Sequence, residues 1–453
     1  MTERTKTPHT LITPTPKQAR GGAWRRGRLD NVTAELRAEV QTRPAARSEA
    51  IAFLLKLGAA LHAYGTPAHR EEEVLTLLSR RLGLHNAQFL TTPTSIMGSF
   101  EGQGPQPVHE ARLLRLEPGD NDLGKLSALD DVVCDVIAGR LSLHEGVGQI
   151  DDVLARPPLY GGPLRVLTFG VASAMAAAMF GGAWADAAAA GLSGLLVGAL
   201  TILAARSTTL GRLFEVLAAT TAAFAAVALA GLSGRSLSIH IVTVSGLIAL
   251  VPGLTLTVAM TELASRSLVS GTARITSALT TLVQLGFGVA LGQKLAGLAG
   301  LSGAGPAAVA GVAPVWLEPL AVIVAPVAFA LLFRALPRDI WWIVLISVVA
   351  LIGGRLGALY LGPELGACCG AFAAAACSNV FSRVLDRPAA ITLVPSILML
   401  VPGSMGFRSV IALLEQDVVG GVNTAFTMVL VAASLVGGVL LASAVLPSRR
   451  LSV

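Results

Sequence analysis

The chain has 453 residues, of which 53% are hydrophobic and 14% are charged, and its mean hydropathy is +0.68. This composition excludes a wholly soluble protein. The net charge of +6 comes from residues 161–453, which hold 15 basic and 9 acidic residues, so we interpret it as the charge of membrane-protein loops rather than of a nucleic-acid surface. The four cysteines have no metal-ligand spacing and predict neither a disulfide framework nor a zinc site.

The composition and the hydrophobic pattern of the first 160 residues predict a tail followed by a small domain. Residues 1–47 are rich in Thr, Pro, Arg and Gly and have no apolar stretch, which indicates a disordered basic tail rather than a signal peptide. Residues 48–160 predict a small soluble α/β domain. An apolar stripe predicts a helix that Gly65 ends, and Thr66-Pro67 predicts the N-cap and first residue of the next helix.

For the remainder of this domain, the sequence pattern predicts two strands and two helices. The strands span Gln88–Phe100 and Val108–Leu116, joined by a Gly/Pro-rich turn, and the helices span Leu123–Ala138 and Leu143–Ala155. Ser142 and Glu145 have the spacing of a capping box at the start of the last helix.

Long apolar runs follow, each close to the roughly 20 residues that cross a bilayer. We predict ten spans, divided into a first half (161–300) and a second half with a short tail (301–453). The spans cover about 166–182, 185–205, 214–232, 238–260, 275–295, 315–335, 339–358, 363–382, 389–406 and 421–446.

A four-residue sequence, Leu-Val-Pro-Gly, occurs in both halves, at Leu250–Gly253 and Leu400–Gly403, so that Pro252 and Pro402 lie 150 residues apart. Proline interrupts a membrane helix, and matched interrupted helices in two halves are typical of the binding site of a secondary transporter. The alternative is two ordinary proline kinks. Because each half has an odd number of spans, the two halves would form inverted repeats.

The loop charges predict the orientation. With the N-terminal domain in the cytoplasm, ten arginines lie on the inner side and four basic residues on the outer side, which favours both termini inside. The inner residues are Arg206, Arg212, Arg266, Arg274, Arg334, Arg338, Arg383, Arg387, Arg449 and Arg450, and the outer ones are Arg235, Lys294, Arg355 and Arg408.

Three stretches carry a family resemblance: Leu61–Leu75, with a Tyr-Gly-x-Pro-x-His-Arg-x-Glu-Glu element, Val251–Thr276, with a Val-Ser-Gly-x-x-Arg element, and Leu400–Val410. Together they resemble the threonine/serine exporter family over nearly the whole chain. The resemblance implies a secondary transporter in a bacterial inner membrane that exports threonine and serine, driven by the proton motive force without another cofactor.

This chain departs from the family pattern at the inner end of the fourth span. Val258 stands where asparagine is frequent, Glu262-Leu263 where Asp-Leu is common, and Arg266-Ser267 where Gly-Asp is common. These changes remove an amide and an acid, and they bear on the substrate and the coupling more than on the fold.

A zwitterionic amino acid needs donors for its carboxylate and an acceptor for its ammonium group. Interrupted helices offer free N–H groups and the positive end of a half-helix dipole. The predicted substrate-binding residues are Pro252, Gly253, Thr255, Thr257, Pro402, Gly403, Ser404 and Gly406, with the amides of residues 253–255 as donors.

Intramembrane titratable groups are costly and are candidates for proton coupling. The candidates are Glu262, Asp186, Glu215 and His240. Glu262 and Glu215 also fit interfacial residues beside Arg266 and Arg212. Asp186 fits a helix cap better than a coupling group.

The remaining motif residues are Ser270, Gly271, Arg274, Arg408, Tyr64, Gly65, Pro67, His69, Arg70 and Glu72. Arg408 fits a pair with Glu415, and the alternative is that it faces the outer solution. The charged face of His69, Arg70 and the two following glutamates fits a solvated or domain-interface surface better than a catalytic one, because no nucleophile setting accompanies it.

Two other classes stay open: an uncoupled channel, and a membrane-anchored hydrolase acting through residues 48–155. The expected partners are small hydroxylated amino acids and the lipid bilayer, with no nucleic acid, and the features are compatible with a homo-oligomer.

Overall fold

The computed structural model describes residues 37–38, 40–41, 43–101, 109–117, 119–233, 237–301, 313–400, 403–414 and 416–448. Most of the predicted tail lies outside these residues. Within the range predicted for the tail, the described residues 37–38 and 40–41 are helical. The next helix begins at Pro44, since proline is well suited to the first position of a helix.

Among the described residues from Pro44 to Ala155, the N-terminal domain has four helices and one antiparallel sheet. Its elements are α1 (Pro44–Ala63), α2 (Ala68–Arg81), β1 (Gln88–Thr92), β2 (Ser95–Glu101), β3 (His109–Arg115), α3 (Leu123–Ile137) and α4 (Leu143–Ala155). The strand order is β1-β2-β3, with Gln88 opposite Ser99 and Ser95 opposite Arg115. The single strand predicted over Gln88–Phe100 is wrong, since Pro93 and Thr94 turn the chain into a hairpin.

Two predictions made from local sequence in this domain are confirmed, the helix end at Gly65 and the capping box at Ser142. Gly65 has a φ of +82° after the end of α1, as a helix-ending glycine requires. The Ser142 hydroxyl accepts from the Glu145 N–H and the Glu145 carboxylate accepts from the Ser142 N–H, so the predicted capping box is confirmed.

The core of this domain continues into the membrane helices. Buried residues of α1, α2, α3 and α4 pack into one cluster with six apolar residues of the second half, namely Ala330, Ala335, Ile343, Ile346, Phe381 and Ile391. Continuous burial of this kind holds two domains together by the hydrophobic effect.

The membrane region has thirteen helices within the described residues. They are α5 (Gly162–Met179), α6 (Trp184–Ala204), α7 (Thr208–Arg212), α8 (Phe214–Ser233), α9 (Ile239–Gly246), α10 (Gly253–Ala264), α11 (Leu268–Leu298), α12 (Leu317–Leu332), α13 (Pro337–Leu361), α14 (Pro363–Leu385), α15 (Ala390–Leu398), α16 (Gly403–Leu414) and α17 (Val418–Val445).

Eight segments of the described chain are long and apolar enough to cross a membrane, not the ten predicted. One of the eight joins α15 and α16 across residues 401–402, which lie outside the described residues. The predicted fourth span is two short helices, because the chain leaves helical geometry between Gly246 and Gly253. The predicted sixth span is the 16-residue helix α12.

Both halves use the same helix contacts. In the first half α5 packs on α6, α6 on α8, α8 on α11 and α10 on α11. In the second half α12 packs on α13, α13 on α14, α14 on α17 and α16 on α17. Between the halves, α5 contacts α12, α10 contacts α17 and α11 contacts α16.

The turns that end α10 and α16 also correspond in detail. Arg266 and Gln416, 150 residues apart, have φ values of 67° and 69°. A Cβ on Gly271 would meet the Leu263 side chain at 2.7 Å, and one on Gly421 would meet Leu413 at 2.6 Å. The helix after each turn, α11 or α17, therefore has glycine at the same place, where the preceding helix approaches closely.

Candidate functional site

The first interruption lies between α9 and α10. The Leu250 N–H donates to the Leu247 carbonyl at 2.8 Å, and the Gly253 N–H donates to the Val251 carbonyl at 2.8 Å. The Gly253 amide was predicted as a donor for substrate, but this tight turn occupies it. The amides of Leu254 and Thr255, at the second and third positions of α10, are the ones that helix geometry leaves without an intrahelical acceptor.

The predicted threonines of α10 differ in their surroundings. Thr257 is buried, and its hydroxyl donates to the Gly253 carbonyl at 3.1 Å, which fixes it against its own helix. Thr255 is half-buried beside the start of the helix. Of the two hydroxyls, that of Thr255 is the better placed to meet a ligand at the first turn.

The second interruption lies between α15 and α16. Pro402 lies outside the described residues, while Gly403 is the first residue of α16. Ser404 is half-buried, and Gly406 is buried against Met428, whose sulfur lies 2.5 Å from where a Cβ would stand.

The two interruptions meet. A Cβ on Gly403 would lie 2.9 Å from Val251 Cγ1, 3.1 Å from the Gly253 Cα atom and 3.3 Å from the Gly253 nitrogen. The first residues of α10 and α16 are therefore in backbone contact. Each helix start carries a partial positive charge, so this point in the membrane region favours an anionic group.

A cavity of about 60 Å³ adjoins this meeting point. Ile248 from the first interruption and Met399 and Ser404 from the second line it, together with Phe180 and residues of α5 and α12. Its volume suits a few water molecules. An amino acid needs more space, so the cavity has to widen before it can hold one.

A polar cluster lies at the other end of α10, where α10 meets the N-terminal domain. Glu262 is fully buried, and its Oε1 accepts from the Ala68 N–H at 2.9 Å and from Arg274 Nε at 3.1 Å. The alternative in which Glu262 sits beside Arg266 is wrong, because Arg266 is exposed in the turn and Arg274 is the partner.

The same contact corrects the predicted start of α2. The N-cap is Pro67, Ala68 is the first helical residue, and the Thr66 hydroxyl is buried with no hydrogen-bond partner among the described residues. The carboxylate that caps α2 is Glu262, 194 residues further along the chain. Two motifs that the sequence separates, around Pro67 and around Arg274, are thus in contact.

The charged face of α2 is an interface rather than a solvated surface. Glu71 is fully buried, Glu72 accepts from the Thr91 N–H at 2.7 Å, and Arg70 pairs with Glu73 at 2.6 Å. Burial lowers the pKa of His69, partly offset by the charge of Glu262. Burial raises the pKa of Glu72, which the Thr91 amide opposes.

Sequence reasoning missed His62, which is buried and lies 3.3 Å from Glu71, with its other nitrogen 2.9 Å from the Pro93 carbonyl. Burial lowers its pKa, but the hydrogen bond and charge of Glu71 outweigh this and the pKa of His62 is raised. Burial also raises the pKa of Glu71, against the effect of His62. A lone histidine in the apolar stripe of α1 was the available signal.

The other coupling candidates lie apart from this cluster. Asp186 is buried and accepts from the Ala183 N–H at 2.9 Å and the Ser238 N–H at 2.8 Å, as a helix cap does. Glu215 is half-buried in the first turn of α8, and His240 is exposed in the first turn of α9.

Arg408 lies on the exposed side of α16 over the ring of Phe180, 5.2 Å from its centroid. Its predicted partner, Glu415, lies outside the described residues. Ser270 is buried in the first turn of α11, and the structure gives its hydroxyl no partner in the described part of the chain.

Comparison with known proteins decides the family. The threonine/serine exporter model ThrE matches residues 52–296, and a second model, "Threonine/Serine exporter, ThrE", matches residues 318–445. The chain belongs to the threonine/serine exporter family. The first match covers the N-terminal domain with the first half, and the second match covers the second half, so both clusters described above lie within the matched residues.

Relatives of this exporter-family chain occur among yeast membrane proteins. Pheromone-regulated membrane protein 10 of Saccharomyces cerevisiae is 29% identical over 381 residues, which is 83% of this chain and 48% of the yeast protein. Its namesakes in Zygosaccharomyces rouxii and Kluyveromyces lactis are each 30% identical, over 79% and 83% of this chain and 37% and 40% of their own lengths. The chain thus spans less than half of each. No solved structure matches it.

The family assignment and the eight apolar helices together make this a multi-pass membrane protein of an exporter family. The family description gives transport rather than catalysis. The bacterial inner membrane stays a prediction, since these relatives are yeast proteins.

Proposed function

We propose that the protein is a secondary transporter that exports threonine and serine from the cytoplasm by proton antiport. The observation that carries the proposal is the backbone contact between Gly253 and Gly403, where two interrupted helices begin. Helix starts that converge inside an apolar domain supply backbone donors for a carboxylate without a fixed charge.

We further propose that the two halves are inverted repeats that rock about this contact. The repeat is supported by the corresponding pairs of contacting helices in the two halves and by the matched turns at Arg266 and Gln416. Inversion is supported by direction: α10 runs from the contact to the N-terminal domain at Glu262, whereas α16 runs towards Phe180, at the far end of α5.

In this proposal the substrate carboxylate binds the free amides of Leu254 and Thr255, with Ser404 facing it from α16. The hydroxyls of Thr255 and Ser404 are candidates for contact with the substrate side chain. The small volume of the adjoining cavity supports a closed state, from which rocking of one half would open the site to one side at a time.

Glu262 is the proposed proton carrier, because it is the fully buried carboxylate of α10 and has one oxygen without a partner in the described residues. Asp186 has both oxygens engaged in capping and is a weaker candidate.

The proposed orientation has the N-terminal domain in the cytoplasm. Two of the turns predicted on the inner side, after α10 and after α12, both contact this domain, through Glu262 and Arg334. That agreement supports the arginine-based orientation.

The test is efflux of labelled threonine and serine from loaded cells that express the full chain, with and without a protonophore. We expect export that stops when the proton gradient is collapsed. Export that ignores the gradient would favour the uncoupled channel, and absence of export of both amino acids would overturn the assigned substrate, with Val258 and Ser267 as the first positions to change.

A further inference from the structure

The N-terminal domain contacts the second half through apolar packing and strong anchors. Its core is continuous with residues of α12, α13, α14 and α15, the Leu123 N–H donates to the Phe333 carbonyl at 2.9 Å, and the Tyr160 hydroxyl donates to the Ala335 carbonyl at 2.7 Å. Arg334 in the same turn lies 3.3 Å from both Asp120 and Asp122. Because apolar packing and two hydrogen bonds to backbone carbonyls hold this contact beside the ion pairs of Arg334, we expect it to persist when a single charge is lost.

The contact with the first half is of another kind. It is built around the Glu262 carboxylate, which caps α2 through the Ala68 N–H and pairs with Arg274 of α11. The N-terminal domain therefore bridges the two halves, with an apolar attachment on one side and a charged one on the other.

The charged contact is poorly satisfied. Six buried side-chain atoms in and around it have no hydrogen-bond partner in the described residues: Thr66 Oγ1, His69 Nδ1, Glu71 Oε1, Thr91 Oγ1, Glu262 Oε2 and Ser270 Oγ. Unpaired buried polar atoms cost free energy, so this contact is held less firmly than its burial implies.

The charge at this contact belongs to the first half alone. At the position 150 residues after Glu262, where α16 ends, the chain has Ala412, and Thr424 stands 150 residues after Arg274. The fold of a half does not require a carboxylate here, which directs attention to its interaction with the N-terminal domain.

We propose that Glu262, Ala68 and Arg274 form a latch through which the N-terminal domain holds the inner end of α10, and that loss of the negative charge on Glu262 opens it. The domain would move with the second half, and the latch would fix the two halves in one relative position. This inference rests on the proposed rocking of the halves, but the latch itself can be tested without any substrate.

Charge interactions link Glu262 to two neighbouring helices, through Arg274 on α11 and through His69 and Glu72 on α2. The negative charge of Glu262 attracts both the Ala68 N–H and Arg274, and this attraction holds the latch closed. Removing the charge weakens both contacts, so the latch opens.

The experiment measures how fast a maleimide labels a buried cysteine one helical turn before Arg274 on α11. In the full chain with its four native cysteines replaced, Ser270→Cys puts a thiol of similar size at a site that is 1% exposed. Labelling is expressed relative to Gly148→Cys on the open surface of α4, which corrects for the intrinsic rate of the reagent.

We expect Cys labelling at 270, relative to the reference, to be about tenfold faster in Glu262→Ala than in the parent at the same pH, because this variant loses both contacts of the carboxylate. Glu262→Gln keeps an oxygen acceptor but no charge, and it should also label faster than the parent. Glu73→Gln, on α2 and in an exposed pair with Arg70, is the matched control and should behave as the parent.

Two results would overturn the latch. One is labelling that is equally slow in Glu262→Ala and in the parent. The other is labelling of Glu262→Gln at the rate of the parent, which would assign the contact to the oxygen acceptor rather than to the charge. Neither result depends on transport, so a failed latch and a failed export assay are distinguishable, and a size-exclusion profile of each variant verifies that it is folded.

Discussion

The two membrane halves have the same framework and different chemistry. Each has an interrupted helix, a positive-φ turn and a glycine against the preceding helix, and the interruptions meet at Gly253 and Gly403. In the first half five buried hydroxyls have no partner among the described residues: Ser173, Ser193, Thr243, Ser245 and Ser270. In the second half the buried hydroxyls of Ser347 and Ser396 lie 3.0 Å apart, and Thr392 donates to Ser378 at 2.9 Å.

This difference indicates that the two halves have different roles, one fixed and one that changes its contacts. Among the described residues the second half has one buried hydroxyl without a partner, that of Ser382, and one such carboxylate oxygen, Oδ2 of Asp339. It carries the apolar attachment of the N-terminal domain, as a fixed frame would. The first half holds most of the unsatisfied polar atoms, including Oε2 of the buried Glu262. Groups that lack a partner in one state are the ones that can gain a partner in another.

The largest effect is expected where the halves touch. Gly403→Ala puts a methyl group 2.9 Å from Val251 and 3.1 Å from the Gly253 backbone, so we expect threonine efflux to fall by about tenfold or more. Gly437→Ala, which meets nothing within 4 Å, is the control and should transport normally. Normal efflux by Gly403→Ala would show that the close contact is dispensable.

The next effect compares two helix caps. Asp186 is buried and accepts from two N–H groups, so Asp186→Ala should lower the free energy of unfolding by about 2–3 kcal/mol. Asp417 is an exposed cap of α17 that accepts from the Gly420 N–H. Asp417→Ala should therefore lower the free energy of unfolding by only about 1 kcal/mol. Thermal unfolding in detergent measures both.

A stable Asp186→Ala variant that exports without proton dependence would contradict the capping assignment. It would move the proton-coupling role from Glu262 to Asp186.

A smaller effect tests the hydroxyls directly. Ser396→Ala leaves the Ser347 hydroxyl buried without its partner and should destabilise the protein by about 1–2 kcal/mol. Ser193→Ala removes a hydroxyl that has no partner in the described residues, and we expect stability to be unchanged or slightly higher. Equal losses in the two variants would mean that the halves do not differ in this way.

The smallest effect concerns pH. Because the pKa of His62 is raised above its ordinary 6.5, His62 binds its proton more tightly in the folded protein than in the unfolded one. Its contribution to stability is complete below about pH 6.5 and declines as the pH rises through the raised pKa. Unfolding of the full chain between about pH 6 and 8.5 should show this decline, and His62→Gln should lose it.

The sequence by itself determined the class of protein, most helix boundaries and the two interruptions. Hydrophobic runs predict helices because a bilayer leaves the backbone few other options, and proline with glycine marks the interruptions for local steric reasons. The turn glycine at Gly65 and the capping box at Ser142 follow from neighbouring residues alone. The family motifs were also readable, and the family models that match the chain agree with them.

Tertiary structure decided which distant residues meet. The sequence around Pro67 does not indicate that Glu262 caps the helix that follows. The sequence around Arg274 likewise does not predict that the pair of Arg274 with Glu262 lies against the N-terminal domain. The contact of Gly253 with Gly403 and the attachment of the domain to α12–α15 likewise depend on packing between segments far apart in the chain. Periodicity reports the face of a helix that is buried, whereas the partner of that face is chosen by the whole fold.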